Sequence, residues 1–266
     1  MDTTNPRYYS QNRSFQHDLG VELLQQYMRW EEGDTVLDAG CGTGEICKYI
    51  SQQPGVSSVV GLDVSPDFVR YSSQQNSSPN VLYDVSDISD ASTIKPEWQG
   101  AFSKVVSFQV LHWVKDKAAA LKVLHSCLKP HGEILFWVGI DVNKWGKISP
   151  GMASHPKWKV YLKDFEPNLF PWPSSDLVKE SHSSYLLEEC GFEVLSCHLK
   201  EQQYSFTSRE QWKKTMSAVF RHLCYLPPDK HEEFLNDVEK MERDVLLLSG
   251  DYKFTDKNLV IHARKL

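Results

Sequence analysis

Asp38, Gly40, Gly42 and Gly44 stand in TVLDAGCGTGE, residues 35 to 45, an acid followed by three glycines at every second position. Thr35, Val36 and Leu37 form a short apolar run of the kind that fills a buried parallel strand, and Glu45 to Ser51 open a helix. Glycines between a strand and a helix let the backbone come close to a bound ligand. The spacing is D-x-G-x-G-x-G, not the G-x-G-x-x-G that packs a helix N-terminus onto a pyrophosphate. Asp38 would set negative charge beside any phosphate, yet it is compatible with a cationic ammonium group.

Two further acids follow at strand ends. SVVGLDV, residues 58 to 64, ends in Asp63, 25 positions after Asp38. That is near the offset of about 20 residues at which an acid receives ribose hydroxyls. A third strand, NVLYDVS at 80 to 86, is followed by Asp87 and Ile88, an acceptor for an adenine amino group and an apolar cover for its ring. Ammonium, ribose and adenine are together the parts of S-adenosylmethionine. These residues resemble the class I S-adenosylmethionine-dependent methyltransferases. The resemblance implies an α/β fold with a doubly wound, Rossmann-like sheet of seven strands and an antiparallel last hairpin. It implies S-adenosyl-L-methionine as cofactor, held by Asp38, Gly40, Gly42, Gly44, Asp63 and Asp87, with Val64, Ile88 and Phe108 in the same pocket. The plainer reading of an acid after a strand is a helix cap, as Asp63 could be for a helix at Pro66.

The whole composition sets limits on the acceptor. A chain of 266 residues with net charge −6 and no block of Lys or Arg lacks the basic surface that nucleic acid requires. A small molecule is expected instead. The longest apolar run, Ile134 to Ile140, falls far short of the roughly 20 residues of a membrane span, and residues 1 to 11 have no apolar signal core. A cytoplasmic protein is expected, one methyltransferase domain over residues 1–266. Six cysteines without a C-x-x-C pair suggest free thiols and neither a metal site nor a disulfide framework.

The elements that position these residues alternate. After a leader with a helix from about Asp18 to Trp30, strands and helices run 35–39, 44–52, 58–63, 66–75 and 80–85. An acidic loop reaches Gly100, followed by a strand at 102–108, a helix at 116–128 and a strand at 132–139. The alternation then stops. Residues 141–174 carry Trp145, Met152, Trp158, Tyr161, Phe165, Phe170 and Trp172 without a clear period, as a lid or binding loop would. A helix at 175–190 closed by Gly191, a strand from Phe192 into Phe206 and a last strand at 258–263 surround a second insert, 207–250. That insert reads as helices at 208–223 and 228–248, the first with Trp212, Met216, Val219, Phe220 and Leu223 on one face. The leader 1–33 and the two inserts are expected to cap the substrate.

SFQVLHWV, residues 107 to 114, places Gln109, His112 and Trp113 outside the carboxyl end of the fourth strand, where an acceptor must lie. Methyl transfer is an in-line displacement, so the protein has to hold the acceptor about 3 Å from the methyl group and exclude water. An amine or hydroxyl usually needs a general base, whereas a carboxylate is ionised at neutral pH. YYSQNRSFQ at 8–16, FQVLHWV at 108–114, HPKWKVYLKDFEP at 155–167 and the later Gly191–Phe192 are similar to the arthropod juvenile hormone acid methyltransferases. That resemblance implies that Gln16 and Trp113 hold a substrate carboxylate and that the inserts enclose a terpenoid chain. The expected partner is a long apolar carboxylic acid such as farnesoic or juvenile hormone acid. Alternatives are an amine or hydroxyl acceptor with His112 as base, a terpenoid or cofactor carrier without turnover, and a nicotinamide oxidoreductase. Taken singly, Gln16 is a polar residue in a polar leader, Trp113 a packing residue at a strand end and His112 a partner for backbone.

Overall fold

The apolar run at 35–37 lies at the centre of the sheet. In the computed structural model the described residues are 5–12, 14–140, 145–165, 172, 180–246 and 252–266. Strands β1 (Asp34–Ala39), β2 (Val56–Asp63), β3 (Val81–Val85), β4 (Phe102–Phe108), β5 (Leu128–Gly139), β6 (Phe192–Ser205) and β7 (Lys253–Lys265) form one seven-stranded sheet. Its order is β3-β2-β1-β4-β5-β7-β6. β1 pairs in parallel with both β2 and β4, and β7 runs antiparallel to β5 and β6. The strand order reverses between β1 and β4, and in open α/β sheets ligands bind in the crevice at that point.

Both faces of the sheet are covered. On one face Leu19, Leu23 and Leu24 of α2 (Ser14–Tyr27) and Ile46 and Ile50 of α3 (Glu45–Ser51) pack with Val36, Val106, Trp137 and Val260. On the other, Leu121 and Leu124 of α5 (Lys117–Cys127) and Leu187 of α7 (Glu180–Glu189) pack with Leu37, Val105, Phe136 and Ile261. Near-continuous apolar strands buried on both faces are what a parallel sheet between helix layers needs. The remaining helices of this part are α1 (Pro6–Gln11) in the leader and α4 (Pro66–Gln75) after β2.

The inserts build a core of their own. Ile148 and Met152 of α6 (Trp145–Ser154), Trp212 and Met216 of α8 (Arg209–Val219) and Phe234 and Val238 of α9 (His231–Leu246) bury one another, together with Trp158 and Phe165. Trp172 instead packs on Phe136 of the sheet, ring centroids 5.4 Å apart, and its indole N–H donates to Ser183 at 3.2 Å. Most of the described insert aromatics are thus core residues of the inserts themselves.

Several boundaries differ from expectation, each for a local reason. The leader is helical from Pro6, because Pro fits the first turn and the Asn5 side chain accepts from the Tyr8 N–H at 3.1 Å. α2 begins at Ser14, not near Asp18. Within the first insert α6 was hidden by Gly151 and Pro150, residues that normally argue against a helix interior. α8 ends at Val219 and a tighter turn, Arg221–Tyr225, keeps Leu223 on the cap core. β7 begins at Lys253, since its polar first half pairs with β6. Residues 141–144, Phe170 and the expected helix start at 175–179 lie outside the described residues.

Candidate active site

The glycine turn is closed by its own backbone. Gly40 and Cys41 N–H donate to the Leu62 carbonyl at 2.7 and 2.8 Å, and Gly44 N–H donates to Cys41 O at 3.0 Å. Gly42 N–H donates to Asp63 Oδ2 at 2.9 Å. These four donors are therefore engaged inside the protein, and the turn offers no nest of N–H groups of the kind that cradles a phosphate. What it offers is carboxylate: Asp38, Asp63 and Glu45 surround it. That set suits a cation and hydroxyl donors and opposes a pyrophosphate.

The three glycines do different work. All have positive φ, 84°, 54° and 85° for Gly40, Gly42 and Gly44. A Cβ on Gly40 would collide with Val110, and one on Gly44 would lie 2.7 Å from the Tyr83 hydroxyl. Among the described residues, a Cβ on Gly42 would meet only Phe68, at 3.8 Å. Gly40 and Gly44 are thus needed for packing, whereas a Cβ at Gly42 would make one ordinary van der Waals contact among the described residues, which leaves that face of the turn the less crowded. The space over Gly42 and the acids around it fit S-adenosylmethionine.

Asp63, at the end of β2, is 7% exposed and accepts from Gly42 N–H and, through Oδ1, from Ser65 N–H at 2.9 Å. An ionised carboxylate has about four acceptor sites, so these two bonds do not exhaust its capacity to accept. Burial pushes its pKa above the ordinary 3.8, against the two backbone hydrogen bonds that lower it. Val64, next in the chain, is 65% exposed beside it. Ser86 N–H donates to Asp63 O at 3.0 Å, which brings the end of β3 and the Asp87 loop next to Asp63. Asp87 Oδ1 accepts from the Ser89 N–H and hydroxyl at 2.8 and 2.6 Å. Ile88 is buried in the sheet core with Leu62 and Ile94. Asp38 lies beneath the turn, where the Cys47 thiol donates to Oδ2 at 3.1 Å. Phe108, half-buried at the end of β4, touches α2 where Gly20 allows a close approach.

The leader is tied over this turn by residues the sequence reading did not single out. Ser10 Oγ donates to Glu45 Oε1 at 2.6 Å, and Thr43 Oγ1 to Glu45 Oε2 at 2.5 Å. Tyr9 stacks edge-on against Phe68 of α4, centroids 5.4 Å apart. Its hydroxyl donates to Gln16 Oε1 at 3.0 Å, so the NH₂ end of that amide is turned the other way. The Tyr83 hydroxyl reaches the Gly44 and Asn76 carbonyls at 3.2 and 2.9 Å and braces the turn from β3. An aromatic or Ser in a polar leader carries no periodic signal, which is why these were missed.

After β4 the chain forms a tight turn, Leu111–Trp113. Val110 at its start packs on Gly40, so the turn adjoins the glycine loop. Trp113 is half-buried, its ring 5.2 Å from that of His112. His112 is 4% exposed, and burial, with the nearby Lys117 charge next in size, holds its pKa at about 3. It is neutral across the working range and a weak base.

Residues 37–136 match the family model of a methyltransferase domain. The chain is 27% identical to a juvenile hormone acid O-methyltransferase of Drosophila melanogaster, over 97% of this chain and 91% of that one. It is 24% identical to the Bombyx mori enzyme of the same name, over 98% of each. Its fold matches the Haemonchus contortus phosphoethanolamine N-methyltransferase 2 solved with S-adenosyl-L-methionine, at TM-score 0.56 and 16% identity, over 93% of this chain and 52% of that one. The fold, the glycine turn and the family match over residues 37–136 support a class I methyltransferase, with S-adenosyl-L-methionine as its cofactor. Within that class it resembles the juvenile hormone acid O-methyltransferases.

Proposed function

We propose that this methyltransferase esterifies the carboxylate of a long apolar acid, a sesquiterpenoid such as farnesoic or juvenile hormone acid. The observation that carries the reading is the contrast between neutral donors and a disabled base. Gln16 has its amide oriented by Tyr9, and Trp113 stands on the turn beside the glycine loop, while His112 is held near pKa 3. Neutral N–H groups orient one carboxylate oxygen without the strong ion pair that would reduce the nucleophilicity of the other. A carboxylate needs no base, so a neutral, buried histidine does not obstruct the reaction. Likeness to the two insect enzymes over nearly the whole chain supports the same substrate class.

In this reading Asp63 accepts ribose hydroxyls, Asp87 accepts from the adenine amino group through Oδ2, and the space over Gly42 admits the cofactor. Val64 and Ile88 flank the ring, and Phe108 and Asp38 bound the methionyl side. The cofactor supplies an electrophilic methyl group on a sulfonium. Gln16 and Trp113 bind and orient the acceptor, and α1 with the cap excludes water. The test is methyl ester formation from labelled S-adenosylmethionine and a panel of terpenoid and fatty acids. Transfer confined to amines or alcohols would overturn the proposal.

A further inference from the structure

One carboxylate joins two parts of the chain that have different tasks. Glu45 opens α3, where an acid suits the positive end of the helix. Its Oε2 accepts from Thr43 Oγ1 in the glycine turn at 2.5 Å, and its Oε1 from Ser10 Oγ in α1 at 2.6 Å. Hydroxyl bonds this short to an ionised carboxylate are stronger than those between neutral groups. α1 has little else to hold it. It is six residues long, too short to be stable by itself, and Tyr9 is its buried side chain. An element with so few buried contacts has low local stability, and a bound group can shift its position. Tyr9 is also where the two proposed sites meet. Its ring lies edge-on to Phe68, the side chain that a Cβ on Gly42 would meet, and packs with Ala218 of α8. Its hydroxyl donates to Gln16 on the acceptor side.

We propose that Glu45 is a positioning residue of the acceptor site: through Ser10 it seats α1 over the glycine turn, and α1 sets the Gln16 amide through Tyr9. Cofactor lying against the turn and Phe68 favours the seated α1, so the acceptor binds more tightly once cofactor is present. Thermodynamic reciprocity then requires that the acceptor tighten cofactor binding by the same factor. The inference rests on the esterification reading and adds to it the means by which one site prepares the other. Glu45 acts through the leader, with each of its oxygens engaged by a hydroxyl.

The experiment measures farnesoic acid binding by calorimetry with and without S-adenosylhomocysteine, and hydrogen exchange of the α1 amides in the same two states. It uses the full chain as wild type, Ser10→Ala, Ser10→Thr, Glu45→Ala and the Ser10→Ala/Glu45→Ala double variant. In the wild type S-adenosylhomocysteine should tighten acid binding about tenfold and slow exchange in α1. Ser10→Ala should bring that affinity ratio to about one and leave α1 exchange insensitive to S-adenosylhomocysteine. Ser10→Thr keeps the hydroxyl and should restore both. Glu45→Ala should match Ser10→Ala, and the double variant should add nothing, since one bond is removed in each case. A ratio near one in the wild type would overturn the proposal. So would a tenfold ratio that survives Ser10→Ala or Glu45→Ala, or a Ser10→Thr protein no better coupled than Ser10→Ala, the behaviour of a merely structural tie. If the acid binds in neither state, the esterification reading falls by itself and exchange alone decides. Protection of α1 by S-adenosylhomocysteine that Ser10→Ala abolishes then sustains the role of Glu45, and unchanged exchange overturns it.

Discussion

In the proposed reading Trp113 and Gln16 hold the acceptor, so substitutions that remove their N–H groups are the most informative. Trp113→Phe keeps a ring and removes the indole N–H; it should lower kcat/KM about tenfold to a hundredfold, the loss of one charged hydrogen bond of roughly 1.5–3 kcal/mol. Tyr9→Phe keeps the edge contact with Phe68 and removes the hydroxyl that orients the Gln16 amide. It should reproduce part of the Gln16→Ala loss, and adding it to Gln16→Ala should change nothing further. Additive losses would show that the two residues act independently. His112 changes the meaning of the pH profile. With a pKa about 3 it would already be deprotonated above pH 5 in either mechanism, so a flat profile there does not separate base from bystander. Substitution does, and His112→Ala should leave kcat within a few-fold of wild type. If Asp63 accepts the ribose hydroxyls as proposed, it supplies the pH dependence that remains. Its carboxyl is raised above 3.8 by burial, and ribose hydroxyls bind the ionised form better. Cofactor affinity is therefore full above that raised pKa and is lost as pH falls through it; calorimetry at a series of pH values should show the loss before an ordinary aspartate would protonate.

At the scale of elements, the turn between β1 and α3 separates packing from binding. Gly42→Ala introduces a side chain that meets Phe68 at an ordinary contact distance, at positive φ, and should cost stability only about 1–2 kcal/mol, while cofactor affinity falls at least tenfold. Gly40→Ala forces Val110 to move and should reduce the melting temperature more than Gly42→Ala does. Equal effects on stability and affinity at the two positions would contradict this division. The turn itself was legible in the sequence, because glycine spacing and an acid at each strand end are local signals. The strands were legible for the same reason: buried parallel strands are apolar throughout. The difference between Gly40 and Gly42 was not, since it depends on Val110, about seventy positions away. Nor was α6, where Pro150 and Gly151 mask the helical period. Tyr9, Ser10 and Glu45 form contacts that only the folded leader creates.

For the whole molecule, the central feature is a set of inserts with a core of their own beside the seven-stranded sheet, the cap of the proposed reading. Trp158 is fully buried there against Phe234, centroids 5.2 Å apart, and donates to Asp237 Oδ2 at 2.9 Å. Trp158→Ala should destabilise the cap by about 3–5 kcal/mol, from cavity formation and loss of that hydrogen bond. It should raise KM for the acceptor more than it weakens cofactor binding, as the proposed cofactor residues lie at the ends of the sheet strands. The likeness to insect acid methyltransferases extends over cap and sheet together, so the acceptor and the cofactor belong to one reading. The most direct test of that reading is a single assay: tritiated S-adenosylmethionine, farnesoic acid and the wild-type chain beside Trp113→Phe, with the product exposed to mild base. A volatile, base-released label, formed by the wild type and reduced at least tenfold in Trp113→Phe, is the predicted result. A chain that binds S-adenosylmethionine yet forms no base-labile product from any apolar acid would contradict the account.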